Sequence, residues 1–258
     1  MDVADTRVHE LRLTPERALA DLEEAAAWVE ERGMVTITPD CALPSLFAAC
    51  HEKPFTEGSR GFGTWPATKY TWPFDLSRRP GIHALRIHRG KRLLVSGSVA
   101  ATVDPLARAA LAEAEGTPLV AHLAAAGPSL VEELRDELGL DAGELRRIRG
   151  PLERSGAVLS RSVTMPAANG GHRHTSELWR WDQEFPAAPA SPGGIEELVV
   201  AGVRAAVVAP EREVGRWFSW PVPRGSMQRL VDEGRLVREG AVVVVPGGQD
   251  PWHMCQGS

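Results

Sequence analysis

The chain has 258 residues, 43% hydrophobic and 24% charged, with a formal net charge of −5; these are values of a globular protein able to bury real cores. The acidic sum argues against a non-specific nucleic-acid binder, and no apolar stretch reaches the roughly 18 residues of a membrane span. The opening MDVADTRVHE lacks the apolar core of a secretory signal, and Cys41, Cys50 and Cys255 have no metal-type spacing, so free thiols in the cytoplasm are expected.

LTPERALADLEEAAAWVEERG predicts a first helix with Thr14 as N-cap and Pro15 at its first position. A strand Met34–Thr38 follows, then a short helix from about Pro44. Phe55 to Pro80, rich in Gly, Pro and aromatics, reads as an ordered loop. HALRIHRGKRLLVSG alternates about Arg89-Gly90, which predicts a hairpin of strands His83–His88 and Lys91–Ser96. Pro105–Ala114 and Pro118–Ala126 read as helices. GPSLVEELRDELGL places Ser129 three residues before Glu132, a capping-box spacing, and Asp141 is an N-cap candidate for DAGELRRIRGPLERSG. Gly150-Pro151 inside that helix suggests a kink. Strands Ala157–Val163 and Ser176–Trp181 flank the loop MPAANGGHRH. After the linker PAAPASPGG come the helix IEELVVAGVRAAVVAP, a short EREVGRWFSW segment, the helix PRGSMQRLVDEG, a wing around Gly240 and a loose tail.

Three times a helical stretch ends in charged residues and Gly (Gly33, Gly156, Gly234), and a β-branched run follows. Glycine past a helix supplies the left-handed residue that lets the chain reverse into a strand. This is how the third helix of a winged helix-turn-helix passes into its wing. The expected fold class is α+β, mainly α, built of tandem winged helix-turn-helix units. The expected domains are an N-terminal unit with inserted loop and basic hairpin (1–104), a central winged helix (105–186), a linker (187–192), and a C-terminal winged helix with tail (193–258).

Charge is unevenly spread. Leu76 to Val103 carries Arg78, Arg79, Arg86, Arg89, Lys91 and Arg92 and no acid, and seven arginines against four acids fall between Asp141 and Trp181. An acidic body with local basic faces can take a polyanion on one side, so duplex DNA is the expected partner, with no cofactor and no metal. The DNA-binding candidates are Arg89, Lys91 and Arg92 of the hairpin, Arg146, Arg147 and Arg149 of the third central helix, and Arg161, His172, Arg173 and His174 of the wing. Arg146, Arg147 and Arg149 read equally as a solvated face paired with Glu144 and Glu153. His172 and His174 share a strand face but show no third ligand of matching spacing. Trp65, Lys69 and Tyr70, in TWPATKYTWP, have the make-up of a base-stacking loop, or of a loop packed onto the body.

Together RGMVTITPDCALPSLFAA, TWPATKYTW, HALRIHRGKRLLVS, LERSGAVLSRS with HRHTSELWRWDQ, and VGRWFSWPVPRGSMQRLVDEGRLV carry a resemblance from about Arg32 to Val245. The chain resembles an AlkZ-related branch of the winged-helix DNA-crosslink-repair glycosylases (AlkZ/YcaQ type). The resemblance implies tandem winged helices that hold DNA and hydrolysis of the N-glycosidic bond of alkylated purines. It also implies a Gln-aliphatic-Gln or Gln-aliphatic-Asp motif, from which this chain departs: its glutamines are Gln183, Gln228, Gln249 and Gln256. Asp40, Glu52, Glu57 and Asp75 are the carboxylates of the first unit available in its place. The expected functions are therefore a DNA-binding protein with a repair-linked role, a glycosylase with a divergent acid, or a non-catalytic regulator or scaffold.

Overall fold

The computed structural model describes residues 3–166, 170–187 and 193–247. The first unit comprises α1 (Val3–Glu10), α2 (Leu22–Arg32), β1 (Met34–Thr36), α3 (Leu46–Ala49), α4 (Trp72–Leu76), β2 (Ile82–His88) and β3 (Lys91–Ser96). A long helix α5 (Gly97–Ala114) leads into the second unit: α6 (Pro118–Ala126), β4 (Ser129–Leu130), α7 (Val131–Leu138), α8 (Ala142–Arg154), β5 (Val158–Pro166), β6 (His172–Arg180) and α9 (Trp181–Glu184). The third holds α10 (Ile195–Ala206), β7 (Val208–Pro210), α11 (Glu211–Val214), α12 (Ser226–Asp232), β8 (Val237–Glu239) and β9 (Val242–Val244).

The sheets are β1-β3-β2, β4-β6-β5 and β7-β9-β8, all antiparallel. In each unit a strand is followed by two helices and then a hairpin, and the last strand of the hairpin pairs with the first strand. That is the winged-helix order three times over, in an α+β fold. Gly33, Gly156 and Gly234 have φ of 77°, 74° and 70°, so each junction does use the left-handed residue its sequence proposes.

The units share their packing. One core runs from Met34, Leu85 and Leu93 of the first sheet through Val103, Leu145 and Trp181 to Val203, Trp217 and Val243 of the third unit. A second core lies under the opposite face of the first sheet, where Val35, Ile82 and Leu94 meet Trp28, Leu46, Phe47 and Leu76. A sheet covered on both faces explains why β3 reads as an apolar run, Leu93-Leu94-Val95, rather than an alternation. Helix α5 buries Val99, Val103, Ala107 and Leu111 on one stripe, and its buried Asp104 accepts from Trp181 Nε1 at 2.7 Å.

Several local expectations are corrected. The helix expected from Thr14 starts instead at Leu22 as α2, capped by Asp21, which accepts from Glu24 N at 2.9 Å. Thr14 makes no side-chain cap, Pro15–Arg17 is a single 3-10 turn, and Leu19 is drawn into the second core while its N–H bonds Ala49 O. The loop after Phe55 contains α4. Helix α5 starts at Gly97 under the Ser96 cap, with Pro105 in its interior, so the 104/105 division falls inside a helix. The capping interaction of α7 is one residue later than expected: Glu133 accepts from Leu130 N, because Ser129 and Leu130 pair as strand with Leu178 and Glu177. Asp141 caps α8 as expected, accepting from Gly143 N and Glu144 N, and that helix runs unbroken through Gly150-Pro151. Residues 188–192 of the linker and the tail from 248 lie outside the described residues.

Candidate functional site

The basic hairpin closes through a two-residue turn, Arg89 and Gly90, both with positive φ, of 51° and 75°. Just before it β2 is bulged: Leu85 faces Leu93 and His88 faces Lys91, so Arg86 and Ile87 together oppose Arg92. Bulges of this kind re-aim side chains, and here the outward set borders a cavity of about 370 Å³. Its walls are Thr36, Ile37 and Thr38 at the end of β1, the rings of Trp65 and Phe74, the cations Arg86, Lys91 and Arg92, and Asp40 with His88.

His88 is fully buried. Its Nδ1 lies 2.7 Å from Trp217 O, a carbonyl of the third unit, and its Nε2 faces Asp40 Oδ1 at 3.4 Å and Cys41 Sγ at 4.0 Å. Burial holds its pKa below the ordinary histidine value, against the pull of Asp40. Burial works on Asp40 in the opposite sense. Its hydrogen bond to Lys91 and the charges of His88 and Lys91 outweigh that effect and keep its carboxyl below the usual range. Burial pushes the Cys41 thiol up to about 11. Third-unit backbone also grips the strand edge, with Ser219 N donating to Ile87 O and Arg89 Nε to Arg216 O.

Beside the cavity, at the seam with the second unit, three guanidiniums surround one buried carboxylate. Glu153 Oε1 of α8 lies 3.5 Å from Arg86 Nε and 3.4 Å from an Arg149 nitrogen, and neither contact has hydrogen-bond geometry at the glutamate oxygen. Arg92 reaches across to donate to Ser162 Oγ and sits over the Phe74 ring at 5.2 Å. Burial, Arg86 and Arg149 all lower the pKa of Arg92, with Glu153 opposing them. Three fixed cations against one anion leave positive charge in excess, the electrostatic condition for holding a phosphate.

The sequence candidates are distributed unevenly around this centre. Lys91 and Arg92 line the cavity, and Trp65 forms its aromatic wall, packed on Phe47 and Phe74. Lys69 turns inward: its Nζ donates to Leu19 O at 2.6 Å and lies over Trp72. Tyr70 stands edge-on to Phe55 and Phe62, and those two phenylalanines, half exposed, are the outward aromatics of the loop. Arg161 pairs with Glu177 and Arg173 with Glu132. His172, Arg173 and His174 lie on β6 rather than on a loop, with His174 Nδ1 3.2 Å from Thr164 Oγ1. Arg146 and Arg147 are exposed on α8 and make no ion pair among the described residues.

Of the carboxylates weighed for the first unit, Asp40 alone borders the cavity. Glu52 caps the loop at Thr68 and Lys69, and Asp75 pairs with Arg78. Sequence reasoning passed over Phe74, Arg86 and His88. The run without acids from Leu76 to Val103 marked the last two only as part of a basic segment. A wider, shallower cleft of about 880 Å³ in the third unit has its acid, Glu211, engaged by Arg238, and offers no comparable cluster.

The architecture is thus a three-unit winged-helix array with a basic, aromatic-walled cavity in its first unit. It is similar to Streptomyces sahachiroi DNA glycosylase AlkZ, with a TM-score of 0.50 at 15% identity, over 95% of this chain and 69% of that one. The likeness is one of fold, and it bears out the AlkZ-related fold read from the sequence. No family model and no curated protein matches the sequence. No helix among the described residues is long and apolar enough to cross a membrane.

Proposed function

We propose that the protein is a cytoplasmic DNA-binding protein with a repair-linked role, which lays a duplex along the seam of its first two units and receives an extruded base in the cavity. The observation that carries this reading is the placement of Arg86, Arg92 and Arg149 about the single carboxylate of Glu153, next to an aromatic wall. Guanidiniums in excess hold a phosphate, and Trp65 and Phe74 offer faces on which a base can stack. The fold of a DNA glycosylase supports the same partner.

A second reading, N-glycosidic hydrolysis, is favoured by one feature: Asp40, kept ionised by Lys91, borders the same cavity. A carboxylate there suits stabilisation of an oxocarbenium-like sugar as the base departs. It would stand in for the glutamine motif that the sequence lacks.

The experiment is anisotropy with plain, abasic and alkylated duplex over a salt series, run beside a base-release assay. Salt-sensitive binding that prefers the lesion and weakens about tenfold in Arg92→Ala supports the DNA reading. Base release that disappears in Asp40→Asn supports the second. Absence of salt-dependent binding to any duplex overturns both.

A further inference from the structure

We propose that Asp40, Cys41 and His88 form a site for one zinc-type dication, whose fourth coordination position opens on the cavity. One ligand atom from each of these residues lies within 4.8 Å of the other two, and no other such group occurs among the described residues. His88 Nε2 is 3.4 Å from Asp40 Oδ1 and 4.0 Å from Cys41 Sγ. In a tetrahedral zinc site the corresponding separations are about 3.3 Å for N···O and about 3.6 Å for N···S, given the usual bond lengths. Contraction by a few tenths of an ångström brings both His88 separations into register, and the ligand atoms of Asp40 and Cys41, within 4.8 Å of each other, must also draw closer.

The tautomer argues for a cation independently of those distances. A carbonyl oxygen only accepts, so the 2.7 Å contact with Trp217 O places the proton of a neutral ring on Nδ1. The Nε2 lone pair of a fully buried ring then points at a carboxylate oxygen, acceptor against acceptor. A metal ion between them removes that conflict. The surroundings match those of metal ligands generally: the second histidine nitrogen is held by a backbone carbonyl, and the second carboxylate oxygen is bonded by Lys91. One nitrogen, one sulfur and one oxygen select zinc or cobalt over magnesium or calcium. Asp40 and His88 both line the cavity, so three protein ligands leave the open position of a site that works on a bound molecule. Two competing arrangements bind no metal: a doubly protonated His88 paired with Asp40, and a Cys41 thiol that donates its proton to Nε2 across the 4.0 Å contact.

The test uses the full chain without DNA, so its outcome is separate from that of the DNA reading. Chelator-treated protein is titrated with Co²⁺. The expected result is one equivalent bound, with a thiolate-to-cobalt charge-transfer band in the near ultraviolet and tetrahedral d–d bands in the visible, displaced by Zn²⁺. Cys41→Ser removes the charge-transfer band, His88→Gln weakens binding at least about tenfold, and Cys50→Ser changes neither. In the unmutated chain, Zn²⁺ slows alkylation of Cys41, mapped by peptide mass, and leaves that of Cys50 unchanged. Absence of the bands, their survival in Cys41→Ser, or equal alkylation of Cys41 with and without Zn²⁺ overturns the proposal.

Discussion

Asp104 and Trp181, 77 positions apart, meet in the shared core, with Trp181 Nε1 donating to Asp104 Oδ1 at 2.7 Å. The other carboxylate oxygen takes Arg108 Nε at 2.7 Å, and Arg108 reaches on to the carbonyls of Phe185 and Ala187. One buried acid thus fastens α5 to the end of the second unit. Asp104→Ala strands the indole N–H and removes the partner of Arg108, and the expected loss is about 2–4 kcal/mol. Asp104→Asn keeps an acceptor for Trp181 and loses less. Urea denaturation checks the order; equal stability of the wild type and Asp104→Ala would show that the contact contributes nothing.

Gly202 on α10 has no left-handed φ to justify it; its reason is space. A Cβ there would lie 3.0 Å from two atoms of the Trp217 ring and 3.3 Å from Phe218. Trp217 is fully buried and cannot swing away. Alanine normally stabilises a helix relative to glycine by about 1 kcal/mol, but overpacking a rigid site costs about 1–3 kcal/mol. Gly202→Ala is therefore expected to lose stability, by about 1 kcal/mol net. A gain in melting temperature would show that the ring has room to move. The same displacement shifts the Trp217 carbonyl that orients His88, so cobalt binding in this variant is expected to weaken as well.

The ion-pair network at the start of α9 sets a pH dependence. Arg180 bonds both Asp182 and Glu115, and its hydrogen bonds to Asp182 hold that carboxyl below its usual range despite partial burial. A depressed folded-state pKa means stability that is present above the unfolded value, about 4, and lost as pH falls through the folded value. Asp182→Asn resembles the protonated side chain at every pH. The stability gap between wild type and Asp182→Asn is expected to be widest above about pH 5 and to close as acid is added. A gap that is constant with pH, measured by urea denaturation, contradicts the assignment.

The fold was legible in the sequence because its signals are local. The cap at Asp141, the hairpin turn at Arg89-Gly90 and the glycine after each third helix depend on residues a few positions apart. Predicted helix starts failed where tertiary packing overrode a good local signal. Thr14-Pro15 looks like a helix start, but Leu19 is pulled into the core and the helix waits for Asp21. The candidate site was less legible for the same reason. His88 gains its meaning from Asp40, 48 positions away, and from a carbonyl 129 positions away, and no spacing rule records either. Basic residues were picked by type, although Lys69 and Arg89 donate to backbone carbonyls inside the molecule.

That last distinction separates the arginines of α8. Leu145 and Leu152 define the buried stripe, and Arg149 borders it, its side chain 17% exposed and its charge set against Glu153. Arg154 lies against the first unit's wing, where a Cβ on Gly90 would come within 3.3 Å of its Cδ. The C-terminal half of the helix is therefore committed to the seam between units and cannot enter a groove. Arg146 and Arg147 stand exposed in the N-terminal half, the part of a recognition helix that reaches DNA. Arg146→Ala with Arg147→Ala is expected to leave stability unchanged, weaken duplex binding, and reduce the slope of log K against log salt by about 2. Arg149→Ala is expected to act mainly on stability, because the buried Glu153 loses one of its two ion-pair partners. If instead the double variant binds as the wild type does and the slope is unmoved, α8 faces away from the duplex and the phosphate contacts belong to the seam alone.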